Sequence, residues 1–168
     1  MNSFLELTAS DNHKFSAYLA QPAEKPKAGL VILQEIFGVN THIQQVTDLF
    51  SKKGYLAIAP SLFDRSQKNI QLSYDEQSVS KGRKLKDLCD DHALKDIEAS
   101  ISLVSSAGKV GVVGYCWGGS LAWRIACVSN HLSGSVSYYG GDIPNLKHYN
   151  PKCSFFVSFW RIGPRHTN

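Results

Sequence analysis

Gly114-Tyr115-Cys116-Trp117-Gly118 places a thiol between two glycines, directly after the apolar run Lys109-Val110-Gly111-Val112-Val113. A strand that turns sharply into a helix brings the backbones two residues before and two after its apex close together, so small residues are needed there, and Gly114 and Gly118 supply them. A helix beginning at Trp117 would aim its unpaired amides and positive dipole end at Cys116, favouring a thiolate and any oxyanion formed on a bound carbonyl. The same residues also suit a Gly-rich turn that holds a buried cysteine as a small hydrophobe, or one that cradles a phosphate. A second apolar run, Gly29-Leu30-Val31-Ile32-Leu33, leads into Gln34-Glu35-Ile36-Phe37-Gly38-Val39-Asn40. A carboxylate at the end of a buried strand is costly unless paired or functional. Glu35 is therefore either part of the same chemistry or a salt-bridging or helix-capping residue.

The elements that must position these groups alternate between strand and helix. Ser3 to Thr8 and Lys14 to Ala20 read as a hairpin turning at Asp11-Asn12-His13, and the two prolines in Gln21 to Lys27 mark a loop. Asn40-Thr41 caps a helix over His42 to Lys53 with Ile43, Val46, Leu49 and Phe50 on its apolar face, and Gly54 ends it. A strand at Tyr55 to Ala59 closes at Pro60, and a polar excursion follows from Ser61 to Tyr74. Helices are expected over Asp75 to Lys84 and Leu94 to Ser105, the second striped by Leu94, Ile97, Ile101 and Val104. Val110 to Gly114, a helix over Trp117 to Val128, a strand over Ser133 to Tyr139 and an apolar run after Cys153 complete the βαβ rhythm. Such a rhythm implies an α/β fold: a mostly parallel sheet with helices on both faces and ligands bound beyond the carboxyl ends of the strands, where Glu35 and Cys116 both fall.

With Gln34-Glu35-Ile36-Phe37-Gly38 and Gly114-Tyr115-Cys116-Trp117-Gly118-Gly119 both in view, the chain resembles the dienelactone hydrolase (carboxymethylenebutenolidase) family of the α/β-hydrolase superfamily. Gly54-Tyr55-Leu56-Ala57-Ile58-Ala59-Pro60, Asp96-Ile97-Glu98-Ala99 and Tyr138-Tyr139-Gly140-Gly141 agree with it, and the resemblance runs from Phe4 to Cys153. It implies Cys116 as the nucleophile on an ester or lactone carbonyl, Glu35 as the carboxylate that interacts with the resting thiol, and the amides of Ile36 and Trp117 as an oxyanion hole. Tyr138 and Tyr139 fall near the pocket mouth as substrate-contact candidates. Family members grip a substrate carboxylate with arginines, and Arg83 is the nearby candidate here. No metal or other cofactor is implied, and the partner expected is a small ester or lactone.

The 168 residues suit one domain. The formal charge of +4 is spread along the chain, with no basic block longer than Lys52-Lys53 or Lys81-Gly82-Arg83-Lys84, so no nucleic-acid partner is indicated. No signal-peptide layout and no membrane-length apolar stretch is visible, and a cytoplasmic protein without a membrane partner is expected. Oligomeric state is left open. The four cysteines show no metal-type spacing and fit a reducing compartment.

The family pattern calls for an acid and then a histidine after the nucleophile. Residues 154–168 instead read as a departure, with Ser158 to Asn168 compatible with a shifted reading frame, since a back-translation read one base later can encode a Phe-Gly-Glu-x-Asp turn. The expectation is an α/β-hydrolase domain lacking its C-terminal strands and helices. Its activity would be weak or absent, with a non-catalytic ligand-binding or interaction protein as the alternative. A nucleotide-binding doubly wound domain fits poorly, because the first strand–helix turn has no G-x-G-x-x-G.

Overall fold

The computed structural model describes residues 2–146 and 148–158. Seven strands form one sheet in the order β1 (Ser3–Thr8), β2 (Lys14–Ala20), β4 (Tyr55–Pro60), β3 (Ala28–Leu33), β5 (Val110–Tyr115), β6 (Gly134–Tyr138) and β7 (Ser154–Ser158). The pairs β1–β2 and β2–β4 are antiparallel and the remaining four are parallel. Near-continuous apolar runs mark β3 and β5 because both are central strands covered on two faces, and their alternating side chains divide between two cores. Val31, Leu33, Ile58 and Val112 join Ile97, Ile101, Leu121 and Ile125 on one face. Leu30, Ile32, Ala59 and Val113 pack with Ile43 on the other.

Helices α3 (Ala93–Val104) and α4 (Trp117–Val128) cover the first face, and α1 (Thr41–Lys52) covers the second. The Asn40 side chain accepts from the Ile43 N–H and caps α1. Leu49 lies outside the apolar face expected for it and is 52 % exposed. At 3.6 residues per turn it points about 120° away from Ile43, while Thr47 and Ser51 take the buried line.

Two further segments depart from the sequence reading. Helix α2 (Glu76–Cys89) runs five residues past Lys84, because Gly82, Leu85 and Cys89 recur at helical spacing and are all buried. The polar excursion contains a 3-10 turn at Leu62–Arg65 whose Leu62 and Phe63 are core residues. Its Asp64 is also buried and accepts from the Ser16 and Asn69 N–H groups. The last described strand, β7, pairs in parallel with β6; the rest of the expected departure, from residue 159 on, lies outside the described residues. No described helix is long and apolar enough to cross a membrane.

Candidate active site

Val31, Val112 and Ser135 lie side by side in register across β3, β5 and β6, so the carboxyl ends of these strands open on one edge of the molecule. Cys116 sits there, between β5 and α4, with φ 54° and ψ −116°. A non-glycine residue in that region costs on the order of 1–3 kcal/mol and persists only where its surroundings hold it. The holding contacts are visible. The Cys116 N–H donates to the Tyr138 carbonyl at 3.0 Å, and its own carbonyl accepts from the Ser120 N–H to start the helix.

The two flanking glycines are required by close approach. A Cβ on Gly114 would lie 1.9 Å from the Gly118 carbonyl oxygen, and one on Gly118 would lie 2.4 Å from the Leu33 oxygen and 2.6 Å from that of Gln34. Because Gly118 lacks one, its N–H reaches the Gln34 carbonyl at 3.0 Å. The start of α4 is thereby pinned to the end of β3, where Glu35 emerges. The fully buried Gln34 fixes the same junction, accepting from the Leu62 N–H at 3.1 Å and donating to the Glu35 carbonyl at 3.3 Å.

Glu35 is half-buried and accepts from the Tyr74 hydroxyl at 3.0 Å and the Tyr139 hydroxyl at 3.4 Å. Burial and the Glu35 charge both push the Tyr139 hydroxyl above its ordinary pKa, so it stays protonated and can donate. Burial likewise raises Tyr74. Burial also pushes the Cys116 thiol up; the neighbouring Trp117 backbone amide opposes this, Glu35 adds to it, and Lys86 and Asp142 act with opposite signs. The thiol at rest is thus held toward its neutral form.

Ile36 follows Glu35, and its carbonyl lies against the Gly82 backbone of α2, where a Cβ would approach to 1.9 Å. Among the described residues neither the Ile36 nor the Trp117 N–H donates to a backbone carbonyl. Tyr139 takes φ 46° to reach Glu35, whereas the Tyr138 ring stacks on Tyr115 at 5.2 Å and contributes its carbonyl to the turn. Arg83 lies on the exposed side of α2, next to Gly82. Lys86, one turn on, is the half-buried cation and pairs with Asp142 at 3.6 Å. Gln34, Tyr74, Gly82 and Lys86 were not singled out from sequence as parts of the site. Only Gln34, a buried-strand polar residue beside Glu35, carried a local signal.

Five histidines are described. His42 is exposed and meets Tyr115 edge-on at 6.5 Å, His148 meets Tyr149 at 4.2 Å with the rings tilted, His13 stacks on Phe15, and exposed His92 and His131 precede α3 and β6. None hydrogen-bonds to Cys116 among the described residues, and His166 lies outside them. Nor is any described group of three or more His, Cys, Asp or Glu side chains placed to hold a metal ion.

The family model for the dienelactone hydrolase family matches residues 15–159, a span that takes in β7. Carboxymethylenebutenolidase of Pseudomonas putida is 34 % identical over 157 residues, covering 86 % of this chain and 66 % of the relative. Carboxymethylenebutenolidase 1 of Cupriavidus pinatubonensis is 33 % identical over 145 residues, covering 81 % and 60 %. The chain therefore spans less than two thirds of the length of these relatives. Among solved structures, a candidate dienelactone hydrolase from Klebsiella pneumoniae superposes with a TM-score of 0.65 at 27 % identity, over 83 % of this chain and 60 % of that one. A dienelactone hydrolase-like promiscuous phosphotriesterase from metagenomic libraries superposes with a TM-score of 0.73 at 18 % identity, over 97 % and 70 %, and shares the fold.

Proposed function

Because this chain belongs to the dienelactone hydrolase family, we propose that its site cleaves a small ester or lactone through Cys116. The Cys116 thiolate attacks the carbonyl carbon, the C–O bond to the leaving alcohol breaks as the S–C bond of a thioester forms, and water then releases the acid. The Ile36 and Trp117 amides take the charge that develops on the carbonyl oxygen. Glu35 keeps the thiol protonated until a substrate displaces the balance around it. Arg83, Tyr138 and Tyr139 border the substrate's approach.

The observation that carries this reading is the strained Cys116 at the N-cap of α4, in a turn that Gly114 and Gly118 alone allow and that is pinned to the strand end carrying Glu35. A second reading, binding without turnover, is favoured because none of the described histidines hydrogen-bonds to the thiol, and acyl transfer from a thioester to water needs a base. With no such base on the thiol among the described residues, acylation by an activated ester is expected to outrun deacylation. Stopped-flow mixing with p-nitrophenyl acetate separates the two. The expected trace is a burst of about one nitrophenolate per chain followed by slow release, lost in Cys116→Ala. Saturable binding of the ester with no burst would replace the hydrolase reading by the binding one.

A further inference from the structure

Helix α2 ends at Asp90, where a carboxylate faces the negative end of the helix dipole. Local helix stability therefore does not explain the residue, and its contacts do. One Asp90 oxygen accepts from the Trp117 indole N–H at 2.6 Å, and the other pairs with the Arg124 guanidinium at 2.6 Å. The indole, 2 % exposed, stacks on Phe63 at 5.5 Å with 15° between the ring planes. Trp117 is thus held by its side chain at two points outside its own helix, and Arg124, two turns along α4, braces the acceptor.

Resting on the assignment of Cys116 as nucleophile, we propose that Asp90 is a positioning residue which, through the Trp117 indole, fixes the orientation of the Trp117 amide, the first of α4, beside the Cys116 thiol and toward the incoming carbonyl oxygen. The backbone logic is direct. Cys116 occupies a strained conformation that relaxes unless its neighbours over-determine it, and relaxation would swing the next peptide, whose N–H opens the N-terminus of α4. Gly114 and Gly118 permit the turn; the indole anchor supplies a side-chain restraint on the residue immediately after the nucleophile.

The test reads the thiol itself and needs no turnover. Iodoacetamide alkylation of Cys116 is followed across pH by peptide mass mapping in the 168-residue protein and in Asp90→Ala, Asp90→Asn and Trp117→Phe. The groups facing the thiol, Glu35 from the end of β3, Lys86 from α2, and Tyr139 and Asp142 after β6, are the same in all four proteins. Removing the Asp90 charge alone would lower the thiol midpoint, because a nearby anion opposes the thiolate. Turning the first amide of α4 away from the thiol raises it, because a helix N-terminus favours the thiolate, so the sign separates the two effects. Asp90→Ala and Trp117→Phe are expected to raise the midpoint by roughly half a pH unit, about threefold less thiolate below it. Asp90→Asn keeps an oxygen for the indole and stays at or below the wild-type midpoint. An unmoved or lowered midpoint in both Asp90→Ala and Trp117→Phe, even with a lower melting temperature, would overturn the proposal. Trp117→Phe keeps the aromatic stack and decides the matter should Asp90→Ala not fold. Failure of Cys116 to acylate with ester, by contrast, would count against the nucleophile assignment and leave this alkylation result standing.

Discussion

At the scale of single residues, the reactivity of Cys116 is a balance in which burial and Glu35 hold the thiol up while the Trp117 amide pulls it down. Glu35→Gln keeps an oxygen for Tyr74 and Tyr139 but removes the anion. Its expected effect is alkylation of Cys116 about threefold faster at pH 8, corresponding to a fall of roughly half a unit in thiol pKa. Cys127 and Cys153 serve as internal references, and a slower Cys116 in this variant would contradict the role given to Glu35. Cys89 is buried and pushed up to about 11, so it should stay unlabelled in the folded protein. The Gly-Tyr-Cys-Trp-Gly turn and Glu35 were legible because their requirement is local: a tight turn needs small residues and a buried strand end resists a charge. Tyr74, Lys86 and Asp90 were not, because each reaches the site from a segment remote in sequence.

Elements set how tightly the loop after β3 is held. Gly82→Ala would drive a methyl group into the Ile36 carbonyl. The expected outcome is overpacking of about 1–3 kcal/mol in urea denaturation, with a smaller burst from p-nitrophenyl acetate as the Ile36 amide shifts; an unchanged burst would detach α2 from the oxyanion site. The start of the same helix is acid-sensitive. Asp75 caps it, accepting from Ser73 and from the Ser78 N–H at 2.7 Å, and these hydrogen bonds hold its carboxyl at about 2. A depressed carboxylate stabilises the fold above its ordinary value near 3.8 and loses that contribution as pH falls through about 2. Amide exchange at Ser78, corrected for its intrinsic pH dependence, should therefore lose protection across that window, and Asp75→Ala should abolish the step. Helix and strand existence could be read from periodicity, down to α4 at both ends, since those patterns record each segment's own burial. The last turn of α2 went unread although Leu85 and Cys89 keep its helical spacing, and the buried Leu62–Phe63 turn carries no periodic signal because its burial is decided by the Trp117 ring on which Phe63 stacks.

For the molecule as a whole, one ion cluster ties the first hairpin to the covering helices. Arg65 bridges Asp11 in the β1–β2 turn at 2.9 Å and Asp96 in α3 at 2.7 Å, and Asp96 is fully buried. Arg65→Leu leaves that carboxylate without its partner, and a loss of about 3–5 kcal/mol in urea denaturation is expected. Asp96→Asn added to Arg65→Leu should recover part of it, and a double variant less stable than the single one would show that the charge is not the cause. This cluster stands apart from the thiol, so Arg65→Leu that remains folded should keep Cys116 reactive. The account turns on that thiol being the atom acylated by an ester. The 168-residue protein mixed with p-nitrophenyl acetate, quenched in acid and mapped by peptide mass, should carry one acetyl group on the peptide containing Cys116, absent in Cys116→Ala. Acetylation confined to Cys127, Cys153 or lysine side chains, with Cys116 unmodified, would contradict it.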